Sequence, residues 1–326
     1  AIGAGFACGG FCIQFGCDWM AFLYASIAAI IGMRVRAKCN ESGLNHYMGI
    51  AIAAFVSTIL AWASTLLPAE WTSTPWHPLL ACALFIVPGV PLINFVDDML
   101  DNYIQVGIVR AVNTLLMVAA MAFGIAFAVK LCHIADFFPT ISMVPHHAYW
   151  EYALAAAISA MGFSMIFNIQ RRLLWVVAIG GILAVCTRNF VNLGASTDNI
   201  GLDMGLVIGS FSGSVLVSLI AVKAVHWFHV PNHVLTIPSV IPMIPGVLMY
   251  RMLFGIININ VQSIDQVTPL MKAIESGVNS GLVIMVIALG VAIPNIFGRK
   301  YIASSKNKRL AELLKERKAR GQFIEW

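Results

Sequence analysis

The sequence predicts an all-α, polytopic membrane protein of about ten transmembrane helices, built as two inverted five-helix repeats with a broken helix in each. Three observations predict it. Apolar residues make up 60% of the 326 residues and charged residues only 11%, against roughly 25% charged in an ordinary soluble domain. Apolar runs recur along the whole chain, and mean hydropathy is +0.85. Short motifs of the first half return in the second half in the same order. So few charges cannot cover the surface of a soluble chain of this length, so lipid is the solvent for most of it.

The apolar segments run 2–15, 18–33, 47–67, 77–96, 105–131, 148–168, 172–188, 199–222, 233–257 and 268–297. Several approach the roughly 20 residues needed to cross the hydrocarbon core. The first is short, like a helix cut at its start. It lacks a basic leader and an A-x-A site, so it does not read as a signal peptide. Pro68, Pro75, Pro78, Pro139, Pro145, Pro231 and Pro269 punctuate the links. No long polar linker interrupts the chain. It divides into a first repeat (1–135), a second repeat (146–298) and a basic tail (299–326) in which Leu310, Leu313 and Leu314 form a short apolar stripe, compatible with a surface helix.

Charge placement tests the count. With the C-terminus in the cytoplasm, the cytoplasmic side holds Arg34, Arg36, Lys38, Arg110, Arg171, Arg172, Lys223 and nine basic tail residues. The opposite side holds only Lys130, Arg188 and Lys272. That asymmetry obeys the positive-inside rule, puts both termini in the cytoplasm and fits a bacterial inner membrane. The seven cysteines form no CxxC pair and sit mostly in apolar runs, so they read as small buried residues rather than metal ligands.

The repeat carries the functional reading. Val87-Pro88-Gly89-Val90 resembles Ile244-Pro245-Gly246-Val247. Val112-Asn113 with Gly124 matches Val278-Asn279 with Gly290, and Met48-Gly49-Ile50 matches Met204-Gly205-Leu206. Five segments per half is odd, so the second half enters the membrane inverted. Inverted repeats with paired helix breaks are a transporter architecture, with the substrate near the midplane. Proline and glycine in lipid are tolerated where protein or a water-filled cavity covers the broken backbone. Pro88, Gly89, Pro245 and Gly246 therefore mark the expected site.

Asn94, Asp97, Asp98 and Asp101 follow the first break, and Tyr250 and Arg251 follow the second. Ionisable groups at membrane depth are functional candidates. Arg251 is suited to grip a carboxylate through its planar fork; the other reading is an ion pair with one of the aspartates or Glu275. Asp97 or Asp98 can face an ammonium group or carry a proton, and Glu275 is a second proton carrier. Asp98 and Asp101 can equally be solvated at a helix end. Asn113 and Asn279 either line the site or hydrogen-bond between helices. The sequence contains no HExxH, GxSxG or P-loop, which argues against an enzyme and implies no cofactor or metal. The basic tail lacks the aromatic interleaving of a nucleic-acid reader.

On these residues the chain resembles the threonine/serine exporter family. Gly43-Leu44-Asn45, the stretch Val87-Pro88-Gly89-Val90-Pro91-Leu92-Ile93-Asn94 and Gly107 to Gly124 are similar to its N-terminal membrane module. Ile237-Pro238-Ser239-Val240-Ile241-Pro242-Met243-Ile244-Pro245-Gly246 is similar to its C-terminal module. The resemblance covers residues 1 to about 298. It implies ten helices and export of threonine or serine driven by the proton motive force. It also implies a soluble cytoplasmic segment ahead of the first helix, missing from this sequence. Relatives that split the modules into subunits are associated with dicarboxylates such as succinate. The expected partners are a small amino acid or dicarboxylate, protons and the bilayer. A passive channel or a non-transporting scaffold is the reading from another class. A ten-helix unit also commonly self-associates as a homo-oligomer.

Overall fold

The computed structural model describes residues 1–66, 68, 70–133, 148–194, 200–257 and 267–319. Helices and the turns between them account for these residues, with no strand among them. In order they are α1 (Ile2–Gln14), α2 (Trp19–Glu41), α3 (His46–Trp62), α4 (His77–Ala81), α5 (Gly89–Leu100), α6 (Ile104–Leu131), α7 (Tyr149–Ile166), α8 (Leu174–Asn192), α9 (Leu206–Phe228), α10 (Asn232–Val240), α11 (Gly246–Ile257) and α12 (Val267–Ala319).

Six helical stretches are long and apolar enough to cross a membrane: Trp19–Glu41, His46–Leu66, Ile104–Leu131, Arg171–Asn192, Leu206–Val225 and Leu270–Gly298. His77–Ile86 and Gly89–Leu100, bent by 56°, make a seventh if they count as one span. The chain is thus a multi-pass membrane protein. The other apolar segments of the sequence fall on α1, α7 and the α10–α11 pair. α1 has 13 residues. α10 and α11 have 9 and 12 and are interrupted by the second proline-glycine motif. α7 opens on Tyr149, Trp150, Glu151 and Tyr152, which dilute its hydropathy.

α12 does not stop at Gly298. It runs unbroken for 53 residues, roughly 80 Å at 1.5 Å per residue. The basic tail is therefore helical up to Ala319 and continuous with the last span, whose apolar part ends at Gly298. Asp18 fixes the start of α2. One carboxylate oxygen accepts from the Ala21 N–H at 2.7 Å, and the other accepts from the Thr72 hydroxyl and the Ser73 N–H, tying the helix to the loop before α4.

Helix contacts rest on small residues, as expected where lipid removes the hydrophobic drive for association. α1 packs along α7, α3 along α6, and α9 along α12. Gly3, Gly10 and Gly162 bring the α1 and α7 backbones together, and Ser159 donates to the Ala7 carbonyl across the contact at 3.3 Å. A methyl group at Gly162 would meet the backbone of Gly3 and Ala7. Gly162→Val should therefore cost about 1–3 kcal/mol by overpacking; thermal denaturation of the purified protein should show a melting point several degrees lower.

Two of the matched pairs in the sequence occupy like positions. Gly124 of α6 abuts Ala51 and Ala54 of α3, and Gly290 of α12 abuts Phe211 and Ser214 of α9. The third pair does not coincide: Gly49 lies inside α3, whereas Gly205 precedes α9 with a φ of +87°. Cys8, Cys12, Cys17 and Cys82 are buried, and Cys39, Cys132 and Cys186 half-buried; all are free thiols.

Candidate transport site

The two proline-glycine motifs fold in the same way. Each follows a three-residue 3-10 turn, Leu84–Ile86 and Ile241–Met243. Each then closes a tight turn in which the glycine N–H donates two residues back, Gly89 to Val87 and Gly246 to Ile244, both at 2.8 Å. Pro88 and Pro245 have no N–H to donate, so the helical ladder stops there. A helix of 12 residues restarts at each glycine.

The breaks touch one another. A methyl group at Gly246 would lie 2.5 Å from Leu84 Cδ2, and one at Gly89 would lie 3.0 Å from Ile244 Cδ1 and 3.1 Å from Ile241 Cγ1. Leu84, Ile86, Val87, Ile241, Met243, Ile244 and Val247 around this contact are all buried. The glycines permit the close approach that any side chain would prevent.

A cavity of about 500 Å³ opens beside the first break. Val90, Asn94, Asp97 and Asp98 of α5 form one wall, Arg110 of α6 another, and His233, Ile237 and Pro238 of α10 a third, with Phe167 at the end of α7. Arg110 donates to Asp98 at 2.6 Å, and His233 Nε2 lies 3.8 Å from an Asp97 oxygen. The two acids thus have basic partners from other helices, one of them from the second half of the chain.

A second cavity, of about 250 Å³, lies beside the second break. It is lined by Gln14 and Phe15 at the end of α1, Tyr152 near the start of α7, Arg188 and Asn189 near the end of α8, and Pro242 to Pro245 with Val247 and Leu248. Tyr152 belongs to this cavity and Phe167 to the first. Fifteen residues of α7 separate them, roughly 22 Å along the helix axis. The cavities therefore lie towards opposite ends of α7, with the contact between the breaks separating them.

The chain matches the model described as a putative threonine/serine exporter over residues 1–132. It matches the model described as a threonine/serine exporter over residues 152–297. This chain belongs to the threonine/serine exporter family. Among curated relatives of this chain, a probable succinate transporter subunit YjjP of Klebsiella aerogenes is 29% identical over 127 residues, 39% of this chain and 49% of the relative. The protein of the same description from Escherichia coli K12 is 28% identical over 131 residues, 40% of this chain and 51% of the relative. An uncharacterized Haemophilus influenzae protein is 26% identical over 143 residues, 44% of this chain and 45% of the relative. The matches span about half the length of these relatives. No solved structure matches the chain.

Of the candidate residues in the sequence, Asn94, Asp97 and Asp98 meet in the first cavity. Pro88, Gly89, Pro245 and Gly246 form the touching breaks. Arg251 is half-buried on α11 and lines neither cavity. Tyr250 lies in α11, but its side chain is outside the described residues. Asn113 accepts a 2.7 Å hydrogen bond from the Tyr47 hydroxyl, bridging α6 and α3. Glu275 and Asn279 are exposed on α12 and line neither cavity. Sequence reasoning missed His233, Gln14, Tyr152 and the cavity roles of Arg110 and Arg188. Arg110 and Arg188 were legible as basic residues at segment ends, but snorkelling at a membrane interface explains such residues equally well. Only the packing of distant helices brings them to a cavity.

Proposed function

We propose that the chain exports a small polar metabolite, threonine or serine first, by alternating access coupled to protons. In this reading the chain crosses the bacterial inner membrane ten times, with α4–α5 and α10–α11 each counting as one broken span. Both termini lie in the cytoplasm. The observation that carries the reading is the pair of cavities towards opposite ends of α7, separated by two glycine-bearing breaks in contact. Movement of one break against the other would open each cavity in turn.

The helix pairings support an inverted repeat. α1 packs on α2 as α7 does on α8, α2 on α3 as α8 on α9, α3 on α6 as α9 on α12, and α5 on α6 as α11 on α12. The halves interlock through α1 with α7 and α5 with α12. Charge placement supports the orientation, since Arg110 and His233 would flank a cavity that faces the cytoplasm. Asp97 or Asp98 then receives the ammonium group or the proton, and Asn94 supplies neutral hydrogen bonds.

A dicarboxylate is the second reading. Two relatives carry the description of a probable succinate transporter subunit. Two acids in the first cavity weigh against a doubly anionic substrate there.

Uptake of labelled threonine and succinate into proteoliposomes, with and without an imposed pH gradient, tests both readings. Gradient-dependent threonine flux is the expected result. Succinate flux without threonine flux would replace the substrate, flux indifferent to the gradient would indicate a channel, and no flux would indicate a scaffold.

A further inference from the structure

We infer that Arg188 and Gln14, in the cavity beside the second break, form a binding site for the carboxylate of the substrate. The inference rests on the transporter reading above and gives the substrate's carboxylate a partner while the substrate occupies this cavity; Asp97 and Asp98 line the other cavity and meet the ammonium group only when the substrate is there, and Arg251 lines neither.

Arg188 is half-buried near the end of α8. Its Nε and Nη2 both donate to the Asn189 side-chain oxygen, at 3.2 and 3.1 Å. No carboxylate of the described residues pairs with it, and the cavity wall carries no acid. The contrast with the other cavity is direct, because there each acid faces a base. A half-buried guanidinium whose side-chain partner is an amide, with no acid on the cavity wall, leaves its charge uncompensated by any carboxylate of the described residues. A carboxylate compensates it through the planar donor fork, which an isolated neutral amide does not.

The neighbouring amide strengthens the case. Gln14 Nε2 and Oε1 are both buried, and neither has a hydrogen-bond partner. Buried polar side chains are nearly always satisfied, and an exception calls for an explanation such as an absent ligand. Gln14 ends α1 and lines the same cavity as Arg188. Its N–H can join the guanidinium on a carboxylate oxygen, and its carbonyl can accept from a hydroxyl or ammonium group of the same molecule. Phe11, Phe15 and Leu206 complete an apolar wall. The volume of about 250 Å³ falls just below the roughly 300–1,000 Å³ usual for drug-sized ligands, which suits a molecule of a few heavy atoms.

The test uses the full chain in lipid nanodiscs and in proteoliposomes, with threonine, serine and succinate as probes. Calorimetric titration and flux are measured for wild type, Arg188→Gln, Arg188→Lys and Gln14→Leu. Arg188→Gln should weaken binding of the probe that wild type accepts by about 30-fold or more. Arg188→Lys should restore only part of it, because an ammonium lacks the fork. Gln14→Leu should melt roughly 2 °C higher than wild type without ligand, since a buried unsatisfied amide is replaced by an apolar group. The same variant should bind several-fold more weakly. A merely structural Gln14 would not separate stability from binding in this way. Arg188→Gln binding within twofold of wild type overturns the inference and leaves the transporter reading intact. A folded wild-type protein that neither binds nor moves any of the three overturns the transporter reading, and the inference with it.

Discussion

Gly246→Leu should lower flux at least tenfold in protein that still elutes as a folded species. The position is tight: even a methyl group would lie 2.5 Å from Leu84 Cδ2, so that side-chain end would have to move, and a leucine demands far more space. Gly246 also donates the 2.8 Å bond that closes the second break. A leucine would wedge the breaks apart or lock them in one arrangement. Either outcome opposes a motion that needs two surfaces to exchange contacts, whereas the helices on both sides can keep their own packing. Overpacking of this kind typically costs 1–3 kcal/mol, small beside the effect expected on movement. Gly89→Ala, which meets the far ends of Ile241 and Ile244 side chains at 3.0–3.3 Å, should slow flux less. Flux by Gly246→Leu within twofold of wild type would remove the contact between the breaks from the mechanism.

Asp97→Asn should abolish the dependence of flux on an imposed pH gradient while the protein stays folded. Asp97 lines the first cavity and faces His233 of the other half at 3.8 Å, so under the proposed coupling a proton taken up there would act on both halves. Asparagine keeps the shape and some hydrogen bonds but cannot carry the charge or the proton. Arg110→Gln makes a useful contrast. Its bridge to Asp98 is short, but Arg110 is 45% exposed and Asp98 21%, and solvent-exposed pairs contribute about 0–1 kcal/mol. That variant should melt close to wild type. Unaltered gradient dependence in Asp97→Asn would move the proton path away from α5.

Much of the fold was legible because it depends on solvent. In lipid each span must satisfy its own backbone, so spans such as Ile104–Leu131 and Leu206–Val225 announce themselves as uninterrupted apolar stretches. The breaks were legible for a related reason. Pro88 and Pro245 remove a backbone donor whatever surrounds them, and the same local turn forms at both. The end of the last span was legible, because the apolar stretch stops at Gly298; that the helix itself runs on through the basic residues to Ala319 was not, because nothing local forbids a helix there.

The candidate site divides along the same line. Asn94, Asp97 and Asp98 share one short helix just after a break, so their sequence spacing alone kept them together. Arg251 was chosen for its place after the second break, and its position in the repeat could not reveal which way α11 turns it. Glu275 and Asn279 share a face of α12, but that face is exposed. Asn113 was read as either a lining or a bridging amide, and its bond to Tyr47 places it between α3 and α6.

The sequence by itself determined the solvent, the helical class, the position of both breaks and the family, because each follows from local composition and backbone chemistry. Only the tertiary structure decided which charges share a cavity. Arg110 pairs with Asp98 and His233 faces Asp97 across separations of 12 and 136 residues, and Arg188 shares a cavity with Gln14, 174 residues away. Those encounters depend on how small residues let helices close on one another, and a helix carries no local record of which neighbour it will pack against.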